Sequence, residues 1–162
     1  MGAVDQKAAQ LLASRPHFRA ELAAKLRQRD FPDEEIAAAL DRLEAQGYLD
    51  DRKTAADFVA HRRERGGEGK LRLRAELARR GAASAAIDEA LAGLDEEDDQ
   101  AAAHEAAERW RRQKTGGKSG GAQAEPSQKD EAALARHLAR KGFSQHAIVA
   151  ALKIPLDDFE PE

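Results

Sequence analysis

Cysteine is absent from this chain of 162 residues, which removes disulfides, thiolate metal sites and a cysteine nucleophile. Aromatic residues make up 4%, with one Trp and one Tyr, and valine occurs only at Val4, Val59 and Val149. That scarcity argues against a sheet, which draws on β-branched and aromatic side chains, and against a deep pocket walled by large ones. No apolar run approaches the ~20 residues that span a bilayer. Met1–Arg15 lacks the basic start and long apolar stretch of a secretory signal. A soluble, cytoplasmic protein with no membrane association is expected.

What the chain does have is alanine and charge. Of the 41% counted as apolar, 36 residues are Ala and 31 are larger; 35% of the chain is charged, with a net charge of −3. Ala and straight-chain residues lose little entropy in a helix, so the composition predicts an all-α protein. The larger apolar residues follow one template. Leu22, Leu26, Ile36 and Leu40 set it; Leu73, Leu77, Ile87 and Leu91 repeat it 51 residues on; Leu134, Leu138, Ile148 and Leu152 repeat it after a further 61. Such periods signal tandem units that bury thin cores against neighbours.

Each template reads as a helix pair, because residues four apart share a helix face. Asp30, Gly81 and Gly142 recur between the helices, where a left-handed residue would close the first one. Asp33, Ser84 and Ser144 are then positioned to cap the second. A further helix precedes each pair: Val4–Ser14, Arg52–Arg65 and Glu96–Gln113, the last two opening on Asp50-Asp51 and on Asp95 to Asp99, where carboxylates oppose the helix dipole. The expected organisation is three three-helix repeats over residues 1–48, 49–94 and 95–162. The third carries a Gly-rich loop over 115–128 and an acidic tail that frays.

No catalytic constellation emerges. Gly117-Lys118-Ser119-Gly120-Gly121 fits G-x-S-x-G but lies in the low-complexity linker with no strand before it. The same stretch echoes a phosphate-binding loop, but position 112 is Arg112 where that motif needs Gly. The five histidines are unpaired at helical spacing and read as solvated or helix-end residues. Carboxylates alternate with bases along helices as on a solvated face, Glu76 with Arg80 being one i, i+4 pair. No enzyme activity, cofactor or metal is expected.

Charge is uneven. From Arg52 to Arg80 there are ten bases and four acids, a net +6 in a chain of −3. The basic candidates are Arg62, Arg63, Arg65, Lys70, Arg72, Arg74, Arg79 and Arg80, extended by Arg109, Arg111 and Arg112 beside Trp110. Such a stripe meets nucleic-acid phosphates or an acidic protein surface, or merely solubilises an Ala-rich helix. Helical geometry puts Arg72 and Arg79 on one flank and Arg74 on the other. Trp110 is expected to anchor the core of the third repeat.

Several stretches together resemble the RecX family of recombinase regulators. They are Arg19-Ala20-Glu21-Leu22 with Lys25-Leu26, Phe31-Pro32-Asp33-Glu34-Glu35-Ile36, Gly47-Tyr48-Leu49-Asp50-Asp51, Leu71 to Leu77 with Arg80-Gly81, and Arg140-Lys141-Gly142-Phe143-Ser144. The resemblance runs from about Leu11 to Leu152. Its pattern has a small polar residue where Phe18 stands, and a Gly-aromatic-Gly-Pro turn where Gly67-Glu68-Gly69-Lys70 stands. It implies three tandem three-helix repeats in an elongated, curved arrangement. It also implies a non-catalytic protein that binds the RecA filament on single-stranded DNA and inhibits strand exchange and ATP hydrolysis, with some weak DNA binding of its own. A monomer is expected. Two other readings stay open: a direct DNA binder made of helix-turn-helix-like units, and a helical adaptor for another partner.

Overall fold

The computed structural model describes residues 2–115 and 127–152; most of the Gly-rich loop and the acidic tail lie outside the described residues. Among those described, all regular structure is α-helical: α1 (Ala3–Ser14), α2 (Arg19–Arg27), α3 (Asp33–Ala45), α4 (Asp51–Gly66), α5 (Lys70–Arg79), α6 (Ser84–Ala92), α7 (Glu96–Thr115), α8 (Gln128–Arg140) and α9 (Gln145–Leu152). None is long and apolar enough to cross a membrane.

The template residues form the interior. Ten of the twelve are buried, while Ile148 and Leu152 are partly buried against a buried cluster. The turns follow the sequence chemistry: Asp30, Gly81 and Gly142 have φ of 61°, 85° and 78°. After the two glycines, the amides of Ala82 and Phe143 reach back to the carbonyls of Leu77 and Leu138 and close α5 and α8. The expected caps are only partly realised. Ser144 accepts from the Ala147 amide at 3.1 Å. Asp33 is not a cap, because the helix already begins there behind Pro32, and its carboxylate takes Arg27 Nε instead. Ser84 is likewise the first residue of α6 rather than the residue before it.

By packing, the chain falls into two compact units, residues 1–59 with 75–91 and residues 60–74 with 92–162, so the division passes through α4 and α5. In the first unit, α1, α2 and α3 enclose Val4, Ala8, Leu22, Leu26, Ile36, Leu40, Leu43 and Leu49, with Leu11, Leu12 and Phe31 against them. In the second, α7 packs on α8 and α9 around Ala103, Ala106, Ala107, Leu134, Leu138, Phe143, Ala147 and Ala151. The alanines of α7 let its axis approach closely, and Trp110 covers one edge of this core, as its sequence position suggests.

Candidate interaction surface

In the second unit, the loop between α4 and α5 lies backbone to backbone on the turn between α8 and α9. The Gly69 amide donates to the Lys141 carbonyl at 2.8 Å, and the Leu71 amide to Gly142 at 3.1 Å. Amides at the start of α5 thereby satisfy carbonyls at the end of α8, two groups that helix geometry leaves orphaned. Only glycine allows the approach, since a Cβ at Gly69 would collide with the Gly142 carbonyl and one at Gly142 with Arg72.

Asp99 joins this assembly from the first turn of α7. It is 4% exposed. Its Oδ1 accepts from the Lys70 amide at 3.1 Å and Oδ2 from the Ser144 amide at 3.3 Å. Arg63 Nη1 approaches Oδ1 at 3.5 Å. One carboxylate thus serves the N-terminal ends of α5 and α9 and a guanidinium from α4. The first unit holds a counterpart: Asp51, in the first turn of α4, accepts from the Arg19 amide at the start of α2 at 2.7 Å. Burial raises the pKa of Asp51, against the opposing effect of that amide.

The eleven basic candidates separate into two kinds. Several are built into the packing. Arg63 also donates to the Asp98 carbonyl at 2.7 Å, Lys70 Nζ to the Leu94 carbonyl at 2.6 Å, and Arg72 Nη1 to the Arg140 carbonyl at 2.9 Å. Arg111 reaches the Ala151 carbonyl at 3.2 Å. Arg80 is held most firmly, its guanidinium carbon 5.1 Å from the Phe18 ring centre and 5.3 Å from that of Phe58. It also donates to the Pro16 carbonyl and approaches Glu21 at 3.4 Å. Arg79 pairs with Glu76 at the surface. Arg65, Arg72, Arg74, Arg79 and Arg112 are exposed, Arg72 despite its bond to the Arg140 carbonyl, while Arg62 and Arg109 are intermediate.

Two buried polar residues escaped sequence reasoning. His17 is 1% exposed and not solvated. Its Nδ1 lies 2.8 Å from the Arg15 carbonyl, so that nitrogen carries the proton, and burial lowers the pKa. Glu68, 8% exposed, lies between Arg62 Nη1 at 3.2 Å and Arg72 Nε at 3.5 Å. Lys141 was likewise missed as part of the basic surface. Burial lowers its pKa, and the positive charges of Arg109 and Arg72 lower it further against the pull of Glu68.

The second helix of each pair, which would enter a major groove in a helix-turn-helix protein, has the wrong charge for DNA. On α3 stand Asp33, Glu34, Glu35, Asp41 and Glu44 against Arg42 alone. On α6 stand Asp88 and Glu89 with no base, and α9 carries no Lys or Arg. An open groove of about 860 Å³ along α1 and α3 is lined by Leu12, Leu43 and Tyr48, and its one carboxylate, Asp5, is paired with Arg42. Among the described residues no group of three His, Asp or Glu could hold a metal ion.

These features define an all-α protein of short helical modules. Family models described as RecX, first three-helix domain, and RecX, second three-helix domain, match residues 6–43 and 50–91. The chain is 40% identical over 146 residues to the regulatory protein RecX of Pseudomonas entomophila, covering 90% of this chain and 87% of that one. It is 39% identical over 141 residues to the regulatory protein RecX of Mycolicibacterium vanbaalenii, covering 83% and 72%. The chain belongs to the RecX family. A crystal structure of RecX from Lactobacillus salivarius shares the fold, with a TM-score of 0.75 at 18% identity over 93% of this chain and 92% of that one.

Proposed function

We propose that this chain regulates the RecA recombinase: it binds the RecA filament on single-stranded DNA, inhibits strand exchange and ATP hydrolysis, and so modulates recombination, DNA repair and the SOS response. It acts in the cytoplasm as a monomer, through contacts rather than catalysis, in three repeats over 1–48, 49–94 and 95–162. The observation that carries this reading is 40% identity across nine tenths of the chain to a protein named for regulation. The basic surface supports it, since arginines spread over several helices suit an extended acidic partner. Contact falls to the exposed Arg65, Arg74, Arg79 and Arg112 and to the half-buried Arg62 and Arg109.

A RecA–single-stranded DNA ATPase assay tests this. Added protein lowers the hydrolysis rate, and an Arg65→Glu/Arg112→Glu variant with an unchanged melting temperature inhibits less. A parent chain that leaves hydrolysis unaffected overturns the function, and a fully active double variant overturns the assigned surface. Direct duplex readout by helix-turn-helix units is disfavoured by the acidic α3 and α6. Tight, sequence-selective binding to bare DNA with a steep salt dependence would restore it.

A further inference from the structure

Ile148 and Leu152 are the two template residues that the fold leaves partly open. Their counterparts Ile36, Leu40, Ile87 and Leu91 are between 1% and 4% exposed. The opening is a groove of about 380 Å³ shared by α8 and α9. Ala132, Ala135, Ile148, Val149 and Leu152 form its apolar lining, and Glu131 is its one charged residue among those described. In the first unit the chain running out of α3 completes the core. Leu49, nine residues beyond Leu40, joins the buried cluster there at 3% exposure.

Two stretches of chain adjoin this groove in sequence. Residues 116–126, ahead of Gln128, hold no apolar side chain larger than Ala apart from Pro126. Residues 153–162, which continue from Leu152, hold Ile154, Leu156 and Phe159, interspersed with Asp157, Asp158, Glu160 and Glu162. The surface of α8 offers the opposite charge. Helical periodicity puts Lys129, Arg136 and Arg140 along one edge of the strip formed by Ala132 and Ala135, and Glu131 along the other. All three bases are exposed, and none of them forms an ion pair among the described residues.

We propose that residues 153–162 fold back as a strap over α8 and α9, with Ile154, Leu156 and Phe159 in the groove and the acids along the basic edge of α8. Burial of the three apolar side chains drives the contact. Pro155 forbids a continued helix and holds Ile154 extended, so the chain turns off the axis of α9. Ile154 follows Leu152 by two residues, so little entropy is lost in closing the loop. The charges choose the edge of α8 that the strap follows, away from Glu131, more than they add strength. Docked, the strap withholds an apolar groove and three bases from any other partner. This inference does not rest on RecA binding and survives its failure.

Methyl-resolved nuclear magnetic resonance of the full chain tests the strap. Cross-relaxation from the Phe159 ring to methyls of Ile148, Val149 or Leu152 is expected, assigned by its loss in Phe159→Leu. The same contacts are lost in Ile154→Ser/Leu156→Ser, which keeps the Phe159 ring, and weakened in Arg136→Glu. Unshifted methyls of Leu134 and Leu138 verify that each variant keeps its core. A sample mixing two isotope patterns separates contacts within one chain from contacts between chains. Contacts within one chain that respond to both variants support the strap. No contact from Phe159 in the parent overturns it, and so does survival of the contacts in Ile154→Ser/Leu156→Ser. Contacts only between chains overturn it in favour of a second copy in the groove. Contacts indifferent to Arg136→Glu overturn the assigned basic edge.

Discussion

The carboxylate of Asp99 accepts a hydrogen bond from the backbone amide of Lys70, 29 residues earlier, at 3.1 Å. Asp51 does the same for Arg19 over 32 residues, at 2.7 Å. In each case an aspartate in the first turn of one helix reaches back to the start of a helix in the preceding template. An isolated module leaves those amides unpaired, so the bond couples neighbouring segments as well as capping a helix.

The two aspartates differ in how much depends on them, and this sets the first prediction. Asp51 serves Arg19, and Asp51→Ala removes a cap, costing about 1 kcal/mol. Asp99 serves Lys70, Ser144 and Arg63 while almost fully buried. Asp99→Ala leaves Arg63 partly buried beside an empty site and costs about 3–5 kcal/mol. Urea denaturation of both variants measures the difference, and equal costs would show that Asp99 is no hub.

Gly69 and Gly142 lead to a second prediction. Alanine at either position places a methyl into backbone that cannot move, and at Gly142 the φ of 78° adds strain. Each substitution is expected to cost about 3 kcal/mol. Gly93→Ala, where a Cβ meets open space, serves as the control and changes little. Thermal melts of the three variants decide it.

Acid should weaken the protein through His17. Its folded pKa is lowered by burial, below an unfolded value of about 6.5. Above that value both states are neutral and the burial is unopposed. As pH falls, the unfolded chain takes up the proton first, and stability declines until the folded pKa is passed. His137 is lowered by burial too, with Lys141 and Arg140 adding to it, and works in the same direction. Melting temperatures followed from about pH 7.5 to about pH 5 are expected to fall more steeply for the parent than for His17→Gln. Parallel curves would remove His17 from the account.

The apolar template was legible because a four-residue spacing maps directly onto a helix face. The turns were legible because Asp30, Gly81 and Gly142 supply the backbone freedom that a left-handed residue needs. What stayed hidden depends on long-range contact. Hydropathy assigns Glu68 and His17 to the surface, and nothing local reveals that Lys141 and Gly69 meet across the fold. Phe18 and Glu68 were visible only as departures from a family pattern, and both prove to be buried residues that organise arginines. Charge counting found the basic segment but not its division, since an arginine aimed at a helix carbonyl and one aimed at solvent read alike.

Arg79 and Arg80 make that division testable, being adjacent in sequence and opposite in role. Arg80 is sandwiched between Phe18 and Phe58 and bonded to the Pro16 carbonyl, so Arg80→Ala costs about 2 kcal/mol from lost cation–π and hydrogen-bond energy. Arg79 is largely exposed, and Arg79→Glu changes stability by about 0.5 kcal/mol or less. In the RecA ATPase assay the expectation runs the other way at temperatures where both variants are folded: Arg79→Glu weakens inhibition, while Arg80→Ala preserves it. If Arg80→Ala is fully folded by circular dichroism and still loses inhibition, its guanidinium contacts the partner despite the aromatic sandwich. If Arg79→Glu inhibits as the parent does, the exposed flank of α5 lies outside the contact.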